Sequence, residues 1–222
     1  PDMIVGLRMS AHEMLEGGMP PEESLEIAVR HARSGLIDFV NVVAADATTD
    51  LGISKLIPTM GQRTGPFLDY ARAIRAEVGL PVFHATRITD VSTARHAVAE
   101  GFVDLVGMTR AHIADPHLVR KLMEGRIDDI RQCVGAGYCI DRIYAGGDAL
   151  CIQNAATGRE RTMPHVIPKA AEKKRVVVVG GGPGGLEAAR VCAERGHSVV
   201  LFEKNAVTGG QINIAAKATW RE

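Results

Sequence analysis

Cysteine, glycine and arginine carry most of the chemistry-bearing pattern in these 222 residues. Three cysteines, Cys133, Cys139 and Cys151, fall within 19 residues, and Cys192 stands apart. Thiols so clustered read as metal ligands or as reduced core thiols, and a disulfide framework is not expected. The run Gly180-Gly181-Gly182-Pro183-Gly184-Gly185 contains G-x-G-x-x-G at Gly180, Gly182 and Gly185. It lies between a four-valine run, 176–179, and a helical stretch, 186–195; an apolar run, 198–202, then ends in Glu203. Such glycines permit a tight turn, let backbone approach a pyrophosphate, and let helix and strand pack closely. The helix N-terminus supplies N–H groups, and Glu203 is placed for an unphosphorylated ribose, as in FAD, ADP or NAD. Arg8, Arg87 and Arg110 close or follow apolar runs. Singly each reads as a surface ion pair. Three at the strand ends of one sheet point to a phosphorylated cofactor, because guanidinium and backbone N–H groups suit phosphate.

The elements that position these residues follow from periodicity. Strand-like runs at 3–8, 38–43, 81–85 and 103–107 alternate with helical patterns at 21–34, 67–78, 91–100 and 116–124. Pro21 with Glu22 and Glu23 suits a helix start, and Gly35, Gly79 and Gly101 suit stops. Four such units predict a parallel sheet. They are half of the eight that a TIM barrel needs, and an open doubly wound sheet is the competing reading. The expected organisation is residues 1–125 as the half-barrel, 126–165 as a weakly periodic cysteine segment, 166–174 as a linker, and 175–222 as the start of a dinucleotide-binding domain. So long an irregular stretch needs something to hold it, and a metal cluster is the natural candidate.

Composition narrows the class. Lys+Arg 26 balances Asp+Glu 26, and 46% of residues are hydrophobic. That disfavours a disordered tail, a nucleic-acid binder or a polybasic membrane binder. No apolar run reaches the roughly 18 residues of a membrane helix. A cytoplasmic location is expected. Pro1 opens the chain and Trp220-Arg221-Glu222 closes it soon after the glycine motif. An internal piece of a longer protein is therefore expected, one that would be insoluble or molten if expressed alone.

The runs Gly107-Met108-Thr109-Arg110-Ala111-His112-Ile113-Ala114-Asp115-Pro116 and Gly125-Arg126-Ile127-Asp128-Asp129-Ile130-Arg131-Gln132-Cys133-Val134-Gly135 resemble the NADH:flavin oxidoreductase family. The resemblance is to the multidomain branch with trimethylamine dehydrogenase, histamine dehydrogenase and bacterial 2,4-dienoyl-CoA reductase. It covers essentially the whole chain. It implies an FMN-binding TIM barrel of Old Yellow Enzyme type, here its last four strands, then an iron–sulfur segment, then a Rossmann-like FAD or ADP domain.

The resemblance also implies roles. Arg8 matches the arginine at the flavin N1/O2 edge. Ala85, Thr86 and Arg87 match the loop around the FMN phosphate. Arg110 matches the phosphate arginine after the last strand, with Gly107 and Thr109 beside it. Asp46 matches a carboxylate facing the substrate pocket of the amine dehydrogenases; otherwise it is a loop carboxylate in water. Cys133, Cys139 and Cys151 match cluster ligands, but Ala136 stands where the family has its second cysteine. Three thiolates could hold a three-iron cluster, or a four-iron cluster with another ligand, or none. Ile143 replaces an aromatic residue of the trimethylamine enzymes, so an N-methylated amino acid is a candidate substrate. Tyr138 and Tyr144 are near it.

Three readings follow. The first is an FMN-dependent oxidation of an N-methylated amine, with electrons leaving through a cluster to an external carrier. The second is an NAD(P)H-dependent reductase of the 2,4-dienoyl-CoA or enoyl type. The third is a cofactor-binding module that has lost its relay. In all three a homo-oligomer is expected.

Overall fold

The computed structural model describes residues 3–218, so Pro1 and the closing run Trp220-Arg221-Glu222 lie outside the described residues. The chain divides after Thr157 into two compact units.

The first unit runs β1 (Gly6–Ser10), α1 (Pro21–Arg33), β2 (Phe39–Val43), α2 (Asp50–Leu56), α3 (Leu68–Val78), β3 (Val82–His84), α4 (Val91–Ala99) and β4 (Leu105–Val106). Then come α5 (Thr109–Ala114), α6 (Leu118–Met123), a 3-10 turn at Ile127–Asp129, and α7 (Tyr138–Tyr144). The four strands are parallel and lie in the order β1-β2-β3-β4. A doubly wound sheet reverses its strand order at a switch point. Among the described strands of this unit there is no reversal.

Alternation decides the two faces. Val40, Val42 and Val82 are fully buried and cluster with Ala28 of α1, Leu68, Ala71, Ile74 and Val78 of α3, and Ala94 and Ala97 of α4. The crossover helices therefore share one side of the sheet. The register Arg8↔Asn41, Asn41↔Phe83, Phe83↔Leu105 lines up the opposite face. There Phe39 and Phe83 stack at 4.6 Å between ring centroids.

Several predicted boundaries move. Arg8 does not close β1: it sits mid-strand opposite Asn41. Ahead of the ladder Val5 is tied to Asp38, its N–H donating to Oδ2 at 2.8 Å and its carbonyl accepting from the Asp38 N–H at 2.7 Å. Helices α2, α5 and α7 were not read from the sequence. α2 is short, but the Thr49 hydroxyl caps it by accepting from Gly52 N–H at 3.0 Å. The weakly periodic 126–157 stretch packs with the sheet unit rather than apart from it.

The second unit holds β5 (Arg175–Val179), α8 (Pro183–Glu194), β6 (Ser198–Phe202) and α9 (Ile212–Ala215). β5 and β6 pair in parallel from Arg175↔Ser198 to Val179↔Phe202. α8 starts at Pro183, earlier than the periodicity suggests, because proline suits the first helical position. Among the described residues no helix is long and apolar enough to cross a membrane.

Candidate functional site

The C-terminal ends of the four parallel strands surround a cavity lined by Arg8, Ala85, Thr86, Arg87, Thr109 and Arg110. Val43, Leu56, Ile57, Ile88, Thr89 and, from α7, Ile140 complete it. Strand ends are where side chains and loops converge in barrels of parallel strands. Backbone strain gathers here too. Among the described residues, the non-glycine ones with positive φ, Met14 (59°), Ala45 (72°) and Arg87 (51°), lie in loops that follow β1, β2 and β3. Left-handed backbone costs a non-glycine residue about 1–3 kcal/mol and persists only where surroundings over-determine it.

Arg87 is held on several sides. Its Nε donates to the Gln62 carbonyl at 2.7 Å, and its own carbonyl accepts from the Gly65 N–H at 3.1 Å. The residue is 9% exposed, yet its Nη1 is buried and makes no hydrogen bond. Burial, and then the charge of Arg110, hold its pKa below the usual arginine value. Arg110 Nη1 donates to the Pro58 carbonyl at 2.8 Å. Two guanidiniums that repel each other while lining one cavity are a donor set that an anion would satisfy. Gly107 keeps the floor low: a Cβ there would lie 2.7 Å from Ala85 Cβ. These features fit the phosphate end of a flavin mononucleotide.

Arg8 lines the same cavity, from the strand face that carries Asn41 and Phe83. Asp46 is not among the lining residues. It lies in the β2–α2 loop, where its Oδ1 accepts from the Thr48 N–H at 2.7 Å and from the Thr48 hydroxyl. Those two bonds hold its carboxyl below the usual range. The tight approach of Gly52, where a Cβ would meet Asp46 Oδ2 at 2.3 Å, fixes the side chain against α2. His84, near the phosphate loop, is fully buried, with Nδ1 on the Val42 carbonyl at 2.8 Å. Burial pushes its pKa down, which suits a neutral structural imidazole.

Cys133, Cys139 and Cys151 line one pocket together with Ala136, Gly135, Gly137 and Arg110. All three are free thiols. Burial raises the Cys139 pKa, opposed in part by Arg110 and reinforced by its two neighbours. Among the described residues no three His, Cys, Asp or Glu side chains converge tightly enough to chelate a single metal ion. A cubane cluster makes a different demand, since its ligands attach to separate irons and need only surround it. Arg110 lines both this pocket and the strand-end cavity. Gly135 and Gly137, the glycines between Cys133 and Cys139, were missed in the sequence. Both have positive φ, and Gly135 abuts Arg87. Their G-x-G spacing inside the cysteine run was the available signal. Cys192 on α8 is half-buried.

In the second unit the glycine loop joins β5 to α8. Gly180 has φ 102°, and a Cβ on Gly185 would sit 1.9 Å from the Gly180 carbonyl oxygen. Gly182 caps α8 with open space around it. Glu203, just past β6, accepts from the Gly181 N–H at 2.7 Å and from the Asn205 N–H at 2.9 Å, which lower its pKa. The loop is thus preformed, with backbone donors at a helix N-terminus beside a carboxylate.

Residues 2–129 match the family described as NADH:flavin oxidoreductase / NADH oxidase. Residues 175–221 match the FAD dependent oxidoreductase family. The chain is 55% identical over 220 residues to a probable N-methylproline demethylase of Rhizobium meliloti, covering 99% of this chain and 32% of that protein. It is 50% identical over 223 residues to the N,N-dimethylglycine/sarcosine dehydrogenase of Chromohalobacter salexigens, covering 100% of this chain and 32% of that one. The solved structure of a 2-naphthoyl-CoA reductase complex superposes with a TM-score of 0.85 at 33% identity, covering 96% of this chain and 32% of that one. The chain thus spans about a third of the length of the relatives it matches. Its parallel α/β sheet and cationic strand-end cavity belong to a member of the NADH:flavin oxidoreductase family of flavin-dependent oxidoreductases.

Proposed function

We propose that this chain is part of an FMN-dependent oxidoreductase that demethylates an N-methylated amino acid or amine. The observation that carries the reading is the pair Arg87 and Arg110, which line the strand-end cavity together with Ala85, Thr86 and Thr109. In this reading the sheet unit is the second half of a TIM barrel, with its sequential parallel strands and one-sided helices. The substrate class rests on the two relatives at 55% and 50% identity, whose names denote N-methylated amino acids.

A bound flavin would supply a hydride acceptor for the N-methyl carbon of the deprotonated amine, and water adding to the resulting iminium would release formaldehyde and the demethylated amine. Arg87 and Arg110 hold the phosphate, with the backbone of Ala85 and Thr86 and the Gly107–Thr109 turn against it. Arg8 supplies positive charge on the ring side of the cavity. Asp46, kept ionised by Thr48 in the β2–α2 loop, is the carboxylate we assign to the substrate nitrogen, although it stands outside the lining of the strand-end cavity. The three thiols and the Arg110 that joins both pockets support an iron–sulfur cluster beside the flavin, a one-electron exit toward an external carrier. Gly180, Gly182, Gly185 and Glu203 hold an FAD or ADP. The domain limits proposed are 1–125, 126–165, 166–174 and 175–222.

The superposition on a CoA-ester reductase favours a second reading, in which NAD(P)H drives reduction of an enoyl group. Anaerobic titration of the full-length protein separates the two. Bleaching of the flavin absorbance by N-methylproline, dimethylglycine or sarcosine alone supports demethylation. Bleaching by NAD(P)H alone overturns it in favour of the reductase.

A further inference from the structure

We propose that a cluster held by Cys133, Cys139 and Cys151 has one iron without a protein thiolate, open to a small solvent-borne ligand on the Ala136 side. The proposal rests on the cluster reading above and deepens it. Four thiolates complete a cubane. The pocket offers three, and the other lining positions between Cys133 and Cys139 are Val134, Gly135, Ala136, Gly137 and Tyr138, none of which carries a thiol, imidazole or carboxylate. Cys192 lies in the second unit, on α8.

The position of Ala136 gives the gap a direction. Ala136 is exposed and lines two cavities at once. One is the cysteine pocket. The other is an open cleft of about 490 Å³ between α2 and α7, walled by Ser54, Thr59, Tyr138, Asp141 and Tyr144. The flanking glycines hold this opening in place. Gly135 and Gly137 have φ of 69° and 76°, and the Gly135 carbonyl accepts from the Met60 N–H at 2.8 Å. The residue between them is therefore set at the boundary of pocket and cleft. An iron on the Ala136 side would find a methyl group there in place of a thiolate, with the Asp141 carboxylate on the wall of the adjoining cleft and not in the cysteine pocket, and its remaining coordination would fall to water, hydroxide or a small thiol. Such a vertex exchanges ligands and is the first iron to leave on oxidation.

The test uses full-length protein purified without oxygen. Iron and acid-labile sulfide are counted per flavin before and after treatment with ferricyanide. In that step a four-iron cluster gives one electron to ferricyanide and releases one ferrous ion, leaving a three-iron cluster. The wild type is expected to lose about one iron in four, with the paramagnetic signal of a three-iron cluster appearing as it does. Ala136→Cys is expected to keep its full count, and Ala136→Val, which offers no ligand atom, to lose iron as the wild type does. Added 2-mercaptoethanol is expected to change the spectrum of the reduced wild-type cluster and to leave that of Ala136→Cys unaltered. A wild type that keeps all its iron and ignores the thiol overturns the open vertex, whatever Ala136→Cys does. Protein with neither iron nor sulfide overturns the cluster itself, while amine-driven flavin bleaching separately decides whether the demethylase reading stands.

Discussion

The Arg87 guanidinium fills the space in front of Gly135: a Cβ built on that glycine would lie 2.2 Å from Arg87 Nη1. This contact joins the strand-end cavity to the cysteine loop across 48 positions of sequence. Replacing Gly135 with alanine adds the cost of a left-handed alanine, about 1–2 kcal/mol, and pushes the guanidinium aside. Gly135→Ala is therefore expected to weaken FMN binding as well as stability. Gly137→Ala bears the backbone cost with only Thr59 near, at 3.1 Å, and is expected to spare FMN. Flavin content after dialysis, compared between the two variants, checks the distinction; equal losses would remove the link.

The paired arginines make a sharper test of the phosphate site. A hydrogen bond to a charged group contributes about 1.5–3 kcal/mol, so Arg87→Ala is expected to weaken FMN binding by about ten- to a hundredfold. The folded state should not suffer in proportion, because removing one of two like charges relieves repulsion. Free riboflavin, which lacks the phosphate, should bind wild type and variant alike. Titration calorimetry with both ligands reads the result. An equal loss for riboflavin would assign Arg87 to the ring instead.

The glycine loop of the second unit predicts separable cofactor sites. Gly185→Ala places a methyl group 1.9 Å from the Gly180 carbonyl oxygen, which forces α8 off β5. FAD or ADP content is expected to fall sharply while FMN content stays unchanged. Nucleotide analysis by chromatography after acid release measures both in one sample.

What the sequence showed, and what it hid, follows from range. The glycine motif, its flanking strands and Glu203 were legible because they interact within one βαβ unit. So was the stop of α3, since Gly79 at φ 65° is a local device. Arg8 was misplaced because the end of β1 is set by its pairing with β2, which runs on through Met9↔Val42 and Ser10↔Val43. Helix α7 was hidden because its seven residues begin at a left-handed Gly137 with no side-chain cap. Neither periodicity nor capping could announce it. The approach of Gly135 to Arg87 and the double exposure of Ala136 are tertiary facts with no local signature.

Asp115 predicts an acid limit to stability. It is 3% exposed, with the Lys121 ammonium at 2.5 Å and the N–H groups of His117 and Arg131 at 3.0 and 2.9 Å. Burial opposes its charge, but the Lys121 hydrogen bond and the two amides outweigh it and lower the pKa. A depressed carboxyl pKa gives stability that is present above the unfolded value, about 3.9, and is lost as pH falls through the lower folded value. Asp115→Asn is expected to destabilise by about 2–3 kcal/mol at neutral pH and to flatten the acid limb. Because Arg131 opens the cysteine loop, that loop should loosen too. Denaturant melts from neutral to acid pH test this, and a difference that stays constant with pH would refute the linkage.

Thr48 predicts a shift in the pH dependence of flavin reduction. Its hydroxyl and amide keep Asp46 ionised below the usual carboxylate range. Thr48→Val removes the hydroxyl but not the amide, so the Asp46 pKa should rise part of the way back. If ionised Asp46 orients the substrate ammonium, the acid limb of the amine-driven reduction rate moves to higher pH in Thr48→Val. The rate on the plateau should change little, because the carboxylate is fully charged there in both proteins. Asp46→Asn should lose the limb altogether and lower the plateau by about tenfold or more, the scale of one charge-assisted contact. Stopped-flow reduction without oxygen, across the acid range, reads all three proteins. A limb that stays in place in Thr48→Val would return Asp46 to the role of a loop carboxylate in water.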